Sequence, residues 1–86
     1  MKHPEKVEKY DGGLDLLAED LGNLRYDALA DFLRALSAKI ELDGTKDQAR
    51  GRQQLANSLF SCAQSVQEAA QAIDKAWKIS EPYMKE

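Results

Sequence analysis

Apolar residues recur in a heptad pattern through the second half of the chain. The row advances in alternating steps of four and three, and it comprises Leu55, Leu59, Cys62, Val66, Ala69, Ile73 and Ala76. This spacing places an apolar stripe along an α-helix and predicts that another helix packs against it. A second row, one position later, widens the stripe: Ala56, Phe60, Ala63, Ala70 and Trp77. That width is more typical of a helical bundle than of a two-stranded coiled coil.

The first half of the chain has helical periodicity as well, beginning at Leu14. One row contains Leu14, Leu17, Leu21, Leu24, Ala28, Phe32 and Ala35, and a second contains Leu29, Leu33, Leu36 and Ile40. Gly22 interrupts the region, and a glycine inside a helix costs about 1 kcal/mol relative to alanine. The region is therefore either two helices or one helix kinked at Gly22. The apolar spacing stays in phase across the glycine, which favours a continuous helix.

A reversal of the chain is predicted around Gly44. This glycine has the sequence context of a left-handed residue that ends the first helix. Thr45 stands three positions before Gln48, which is the spacing of a capping box at the start of a helix. The second helix is therefore expected to run from Lys46 to Ile79 and to end before Pro82.

These elements predict an all-α fold, an antiparallel helical hairpin over residues 13–80. Flexible tails are expected at 1–12 and 81–86. An isolated hairpin leaves part of each apolar stripe exposed, so we expect two copies to form a four-helix bundle. The expected core and dimer seam combines the heptad row of the second helix with five residues of the first, Leu29, Phe32, Leu33, Leu36 and Ile40.

Composition narrows the classes of function. The chain has 86 residues and a net charge of −3, and residues 13–43 alone carry −4. A negative balance argues against general binding to nucleic-acid phosphates. No apolar run approaches the ~20 residues of a membrane span, and the first residues do not read as a signal peptide. The single cysteine excludes an internal disulfide and fits the cytoplasm.

A small basic cluster is predicted at the tip of the hairpin. It contains Lys46, Arg50 and Arg52, beside a single acid, Asp47. Three cations could bind an acidic partner, although a solvated first helical turn has the same composition.

One alternative function rests on residues 17–33, which resemble a helix-turn-helix DNA-binding motif. Ala18 and Gly22 occupy the small-residue and turn-glycine positions of that motif. The recognition helix would, however, carry Asp27 and Asp31, and these acids would face DNA phosphates.

A third reading is a metal-dependent phosphohydrolase. Asp15 and Glu19, like Asp27 and Asp31, are four residues apart and share a helix face. Helical bundles that bind divalent metals use carboxylates in such positions. Paired acids on a surface helix more often serve only for solvation, so we predict no catalytic residue, metal ligand or cofactor.

The sequence therefore favours a small non-enzymatic helical module for protein–protein interaction or regulation. It is expected to act as a cytoplasmic homodimer. Its acidic first helix or its basic tip would contact a partner protein that the sequence does not identify.

Overall fold

A computed structural model describes residues 3–83. It contains α1 (Leu14–Gly22), α2 (Tyr26–Ala49) and α3 (Gln53–Ser80), followed by a short 3-10 turn at Glu81–Tyr83. The described residues form no strand, which confirms the all-α prediction. Residues 1, 2 and 84–86 lie outside the described part of the chain, so the flexibility expected of the two tails stays a prediction.

The first helical region is broken into two helices. α1 ends at Gly22, where the Asn23 N–H still donates to the Glu19 carbonyl. The backbone then leaves the helical conformation, and Arg25 is extended with ψ 141°. α2 begins at Tyr26, so the prediction of a continuous helix is wrong and that of a break at Gly22 is confirmed.

The predicted reversal at Gly44 is wrong. Gly44 lies inside α2, which continues to Ala49, and it is buried. The Thr45 hydroxyl donates to the carbonyl of Glu41 in the preceding turn rather than capping a new helix. α3 accordingly begins at Gln53 instead of Lys46, although its end at Ser80 agrees with the prediction within one residue.

The chain reverses at Gly51, where φ is +79°. The Arg52 N–H donates to the Asp47 carbonyl at 2.9 Å, and the Gly51 N–H donates to the Gln48 carbonyl at 3.0 Å. These two bonds form a Schellman motif, which satisfies carbonyls at the end of α2 and needs a left-handed residue at its centre. Gly51 therefore has the role that the sequence analysis assigned to Gly44.

Substitutions at Gly51 should depend on backbone conformation alone, since a Cβ there would meet nothing within 4 Å. We expect Gly51→Ala to lower the free energy of unfolding by about 1 kcal/mol, because alanine is strained in the left-handed region. Gly51→Asn should lose less, as asparagine tolerates that region better. Urea unfolding of both variants tests this, and equal losses would contradict it.

The contact between α2 and α3 is made by small residues. Ala30, Ser37 and Gly44 are buried on α2, and Ala56, Ala63 and Ala70 are buried on α3. Each α2 residue has a counterpart on α3 that is equally distant from residue 50, as expected for an antiparallel pair. The Ser37 hydroxyl donates to the Ala63 carbonyl at 2.7 Å. Small side chains at this contact allow the two helices to approach closely.

Gly44 is needed at its position for space. A Cβ built there would lie 2.8 and 2.9 Å from two carbons of the Phe60 ring. Both distances are shorter than a van der Waals contact between carbon atoms. The ring of Phe60 therefore occupies the volume that any other side chain at position 44 would need.

Gly44→Ala should consequently fail to stabilise α2. In an exposed helix the change adds about 1 kcal/mol, but here the overpacking should exceed that gain and leave a net loss of about 1 kcal/mol. Gly22→Ala is the control, because a Cβ at Gly22 meets nothing within 4 Å. Thermal melts of both variants decide the matter, and a stabilised Gly44→Ala protein would contradict the contact with Phe60.

The hairpin of α2 and α3 is one layer of two helices. Among the described helices, α1 does not pack closely on either of them, so it adds no second layer to the hairpin. No large side chain is fully buried among the described residues. Stable domains usually pack two layers around a core, so this layer has faces that remain open.

Candidate functional site

One face of the hairpin is apolar along most of its length. Helical geometry places the predicted heptad row of α3 beside the small-residue contact, on the same side as the second apolar row of α2. We call this surface the apolar face; it comprises Leu29, Leu33, Leu36, Ile40, Leu55, Leu59, Cys62, Val66, Ala69, Ile73 and Ala76. Its residues are half-buried or exposed in the described chain.

The apolar face remains open because α3 packs against α2 through the neighbouring alanine row and not through the heptad row. Ala56, Ala63 and Ala70 face α2, and this turns the larger side chains to the side. Leu55 is 46% exposed and Leu36 is 37% exposed. The structure thus buries the neighbouring alanine row, whereas the heptad row of α3 that was predicted to form the core is half-buried or exposed.

Phe32 lies outside the apolar face. It shares a heptad row with Lys39 and Lys46 on the outer side of α2, and its side chain is partly exposed. Of the residues predicted for the seam, Phe32 alone is separated from the others in this way.

The opposite face of the hairpin is polar. A shallow depression there is lined by Ser37, Glu41, Phe60 and three glutamines, Gln64, Gln67 and Gln71. Farther along this face, Arg34 joins the two helices by binding Asp31 at 2.6 Å and Asp74 at 2.8 Å. These two carboxylates raise the pKa of Arg34, the bond to Asp31 having the larger effect. The hairpin is therefore amphipathic, with one apolar face and one polar face.

The three predicted tip residues do lie together. Lys46, Arg50 and Arg52 line a depression at the tip end of the apolar face. Asp47 is at their centre: its side chain is only 12% exposed, and its Oδ1 lies 3.4 Å from Arg50 and 3.5 Å from Arg52. The sequence analysis named Asp47 only as an acid beside the basic cluster. It could not predict the burial of Asp47, because that burial depends on the turn lying at Gly51.

A second charged cluster lies at the open end of the hairpin, which is the end opposite the tip, where α2 begins and α3 ends. Arg25 forms two bonds with Asp27, at 2.6 and 2.9 Å, and its guanidinium lies over the Trp77 ring at 5.5 Å from the centroid. The Arg25 guanidinium holds the pKa of Asp27 below its ordinary value. This cluster connects the segment before α2 to the end of α3, and no heptad pattern could have revealed it.

α1 is amphipathic and has no buried residue. Its carboxylates Asp15, Glu19 and Asp20 are accompanied by no base within the helix. The hydroxyl of Tyr10 bonds to Asp20, and this bond raises the pKa of Tyr10. The close helix pairing of the described chain is between α2 and α3, and α1 makes no comparable contact with either.

This geometry adds little support to the two alternative functions, DNA binding by a helix-turn-helix motif and metal-dependent phosphohydrolysis. α1 and α2 are joined by a three-residue turn, as in a helix-turn-helix motif, but they lack close mutual packing. Asp27 and Asp31, one of the two acid pairs considered as metal ligands, are each paired with an arginine. Among the described residues, no group of three or more His, Cys, Asp or Glu side chains is placed to hold a metal ion.

Cys62 is exposed on the apolar face. None of the described helices combines the length and the apolar character needed to cross a membrane. Searches with protein-family models, among curated proteins and among solved structures found no match to this chain.

Proposed function

We propose that this protein is a non-enzymatic helical interaction module that acts as a homodimer. Two hairpins would pack with their apolar faces together and form a four-helix bundle. The exposed thiol of Cys62 suits a reducing compartment, so we place the dimer in the cytoplasm.

The observation that carries the proposal is the open apolar face. The hairpin contact uses the small residues, and Leu36, Leu55 and their neighbours remain partly exposed. Contiguous apolar surface of this kind marks interaction sites. A second copy is a suitable occupant because its surface has the same chemistry and can pair with itself about a two-fold axis.

The size of the face also suits a dimer. The 24 residues of α2 span about 36 Å, and two helices side by side are about 20 Å wide. The face therefore offers roughly 700 Å² per copy, close to the ~800 Å² per partner of a stable interface. Residues 3–83 contain no fully buried large side chain, so a chain of this size would gain stability from that burial.

The dimer can be tested on the unmodified protein. We expect sedimentation equilibrium to give twice the chain mass, and the melting temperature to rise with protein concentration, because folding and association are then linked. A monomer whose melting temperature is independent of concentration would overturn the proposal.

A further inference from the structure

A depression of about 710 Å³ lies at the tip of the hairpin. Leu55 and Leu59 form its apolar wall, and His3 of the segment before α1 also lines it. Its charged lining residues are Lys39, Asp43, Lys46, Asp47, Arg50 and Arg52. We call this surface the tip depression. Its volume lies in the range of roughly 300–1,000 Å³ that is typical of small-molecule sites.

Asp47 brings the two arginines of the tip depression together. Its Oδ1 lies 3.4 Å from Nη1 of Arg50 and 3.5 Å from Nη1 of Arg52, and only 12% of its side chain is exposed. A guanidinium has several N–H donors, and Asp47 contacts each arginine through Nη1 alone. Both arginine side chains are 60% exposed, so their other donors are available to a ligand.

The lysines give the tip depression a surplus of positive charge. Lys39 donates to both carboxylate oxygens of Asp43, at 2.7 and 2.8 Å, and this contact is the main cause of the lowered pKa of Asp43. Lys46 forms no ion pair of its own with any described residue. Four basic side chains and two carboxylates leave a net charge of +2 when His3 is neutral.

This combination of charge and shape fits a small organic phosphate. A phosphate monoester carries about two negative charges at pH 7, whereas a carboxylate would neutralise only half of the surplus. Arginine binds phosphate oxygens in a bidentate manner, and lysine adds a point charge. The apolar wall lies beside these cations, so it can contact an apolar part of the same ligand. A nucleic acid would need positive charge over a longer surface, but the whole chain has a net charge of −3.

We infer that the tip depression binds a small organic phosphate, with its phosphate on Lys46, Arg50 and Arg52 and its apolar part on Leu55 and Leu59. The inference goes beyond the proposed homodimer and does not require it, because all of these residues belong to one chain. Leu55 and Leu59 also belong to the apolar face, so the ligand would lie at the edge of the proposed interface. A monomeric wild type that binds such a ligand would overturn the homodimer and support this site.

Titration calorimetry of the full chain tests the chemistry of the ligand with three probes: inorganic phosphate, hexyl phosphate and hexanol. Hexyl phosphate should bind once per chain and about 10-fold more tightly than inorganic phosphate, because only hexyl phosphate also covers the apolar wall. Hexanol should not bind measurably, and the affinity for hexyl phosphate should fall with salt. Equal affinities for the two phosphates, or no binding of hexyl phosphate, would overturn the inference.

Single substitutions test the place of binding. Lys46→Gln and Arg52→Gln should each weaken the binding of hexyl phosphate about 5-fold, because each removes one charge-assisted contact. Arg52→Gln leaves Asp47 its contact with Arg50, so the turn should remain folded, which circular dichroism checks. Lys75→Gln is the matched control: it removes the same charge from an exposed position near the other end of α3 and should have less than about a 2-fold effect. Equal losses in all three variants would mean that only total charge matters and would contradict the site.

Vesicles distinguish a soluble ligand from a lipid headgroup. Phosphatidic acid presents a phosphate monoester at a membrane surface, so the protein is sedimented with vesicles of phosphatidylcholine and phosphatidic acid in equal amounts. We expect the protein to remain in the supernatant, because the depression is concave and its apolar wall lies beside the cations. Sedimentation of the wild type with these vesicles, reduced by Lys46→Gln, would assign the tip to a membrane and overturn the inference of a soluble ligand.

Discussion

Ala63→Leu is expected to lower the free energy of unfolding by about 3 kcal/mol. Ala63 is 5% exposed at the middle of the contact between α2 and α3, and its carbonyl accepts the Ser37 hydroxyl. A leucine there must separate the helices or leave its preferred rotamer, and overpacking of this kind typically costs about 1–3 kcal/mol. In a chain of this size the melting temperature should fall by roughly 12 °C or more. Thermal and urea unfolding measure the loss.

Ala72→Leu is the matched control for that experiment. Ala72 lies on the exposed outer side of the same helix, so the same chemical change should alter stability by no more than about 0.5 kcal/mol. If Ala63→Leu were tolerated as well as Ala72→Leu, the alanine row would not be the surface that joins α2 to α3.

The helices could be predicted from the sequence, but the position of the turn could not be predicted from local signals. Asp43-Gly44-Thr45 has good stop and start residues, and Arg50-Gly51-Arg52 looks less like a cap. Packing decided between the two glycines, because Gly44 supplies space beside Phe60 and Gly51 supplies the positive φ. A longer-range signal was present in the sequence: small residues recur every seven positions before the turn, up to Gly44, and again after it, from Ala56. Pairing these two rows in an antiparallel hairpin places the reversal near residue 50.

The candidate site could be predicted only in part, for a related reason. The heptad row from Leu55 to Ala76 forms the α3 part of the apolar face, but periodicity does not say which of two adjacent rows of α3 packs against α2. The row of smaller residues forms the contact with α2, because small side chains let the two backbones approach closely. Leu55 and Val66 then lie at the side of this contact. Contacts between distant segments, such as Arg25 over Trp77, have no periodic signature and needed the structure.

Val66→Asp should abolish dimerisation and leave a largely unfolded monomer. Val66 is half-buried in the middle of the apolar face, and in the proposed dimer the second copy would exclude water from it. An unpaired charge buried in this way costs about 3–5 kcal/mol, and a two-fold dimer contains the substitution twice. The stability of so small a domain should lie near the lower end of the usual range of about 5–15 kcal/mol. The stabilisation lost with the interface is therefore expected to exceed the free energy of unfolding of an isolated hairpin, so the monomer should unfold.

Gln64→Asp is the matched control, because it adds the same charge to the same helix on the polar face, where Gln64 is exposed. That variant should remain folded and dimeric, with a free energy of unfolding within about 0.5 kcal/mol of the wild type. Sedimentation equilibrium and thermal melts at several protein concentrations compare the two. Equal behaviour of Val66→Asp and Gln64→Asp would mean that solvent reaches both positions alike, and the apolar face would then not be an interface between two copies.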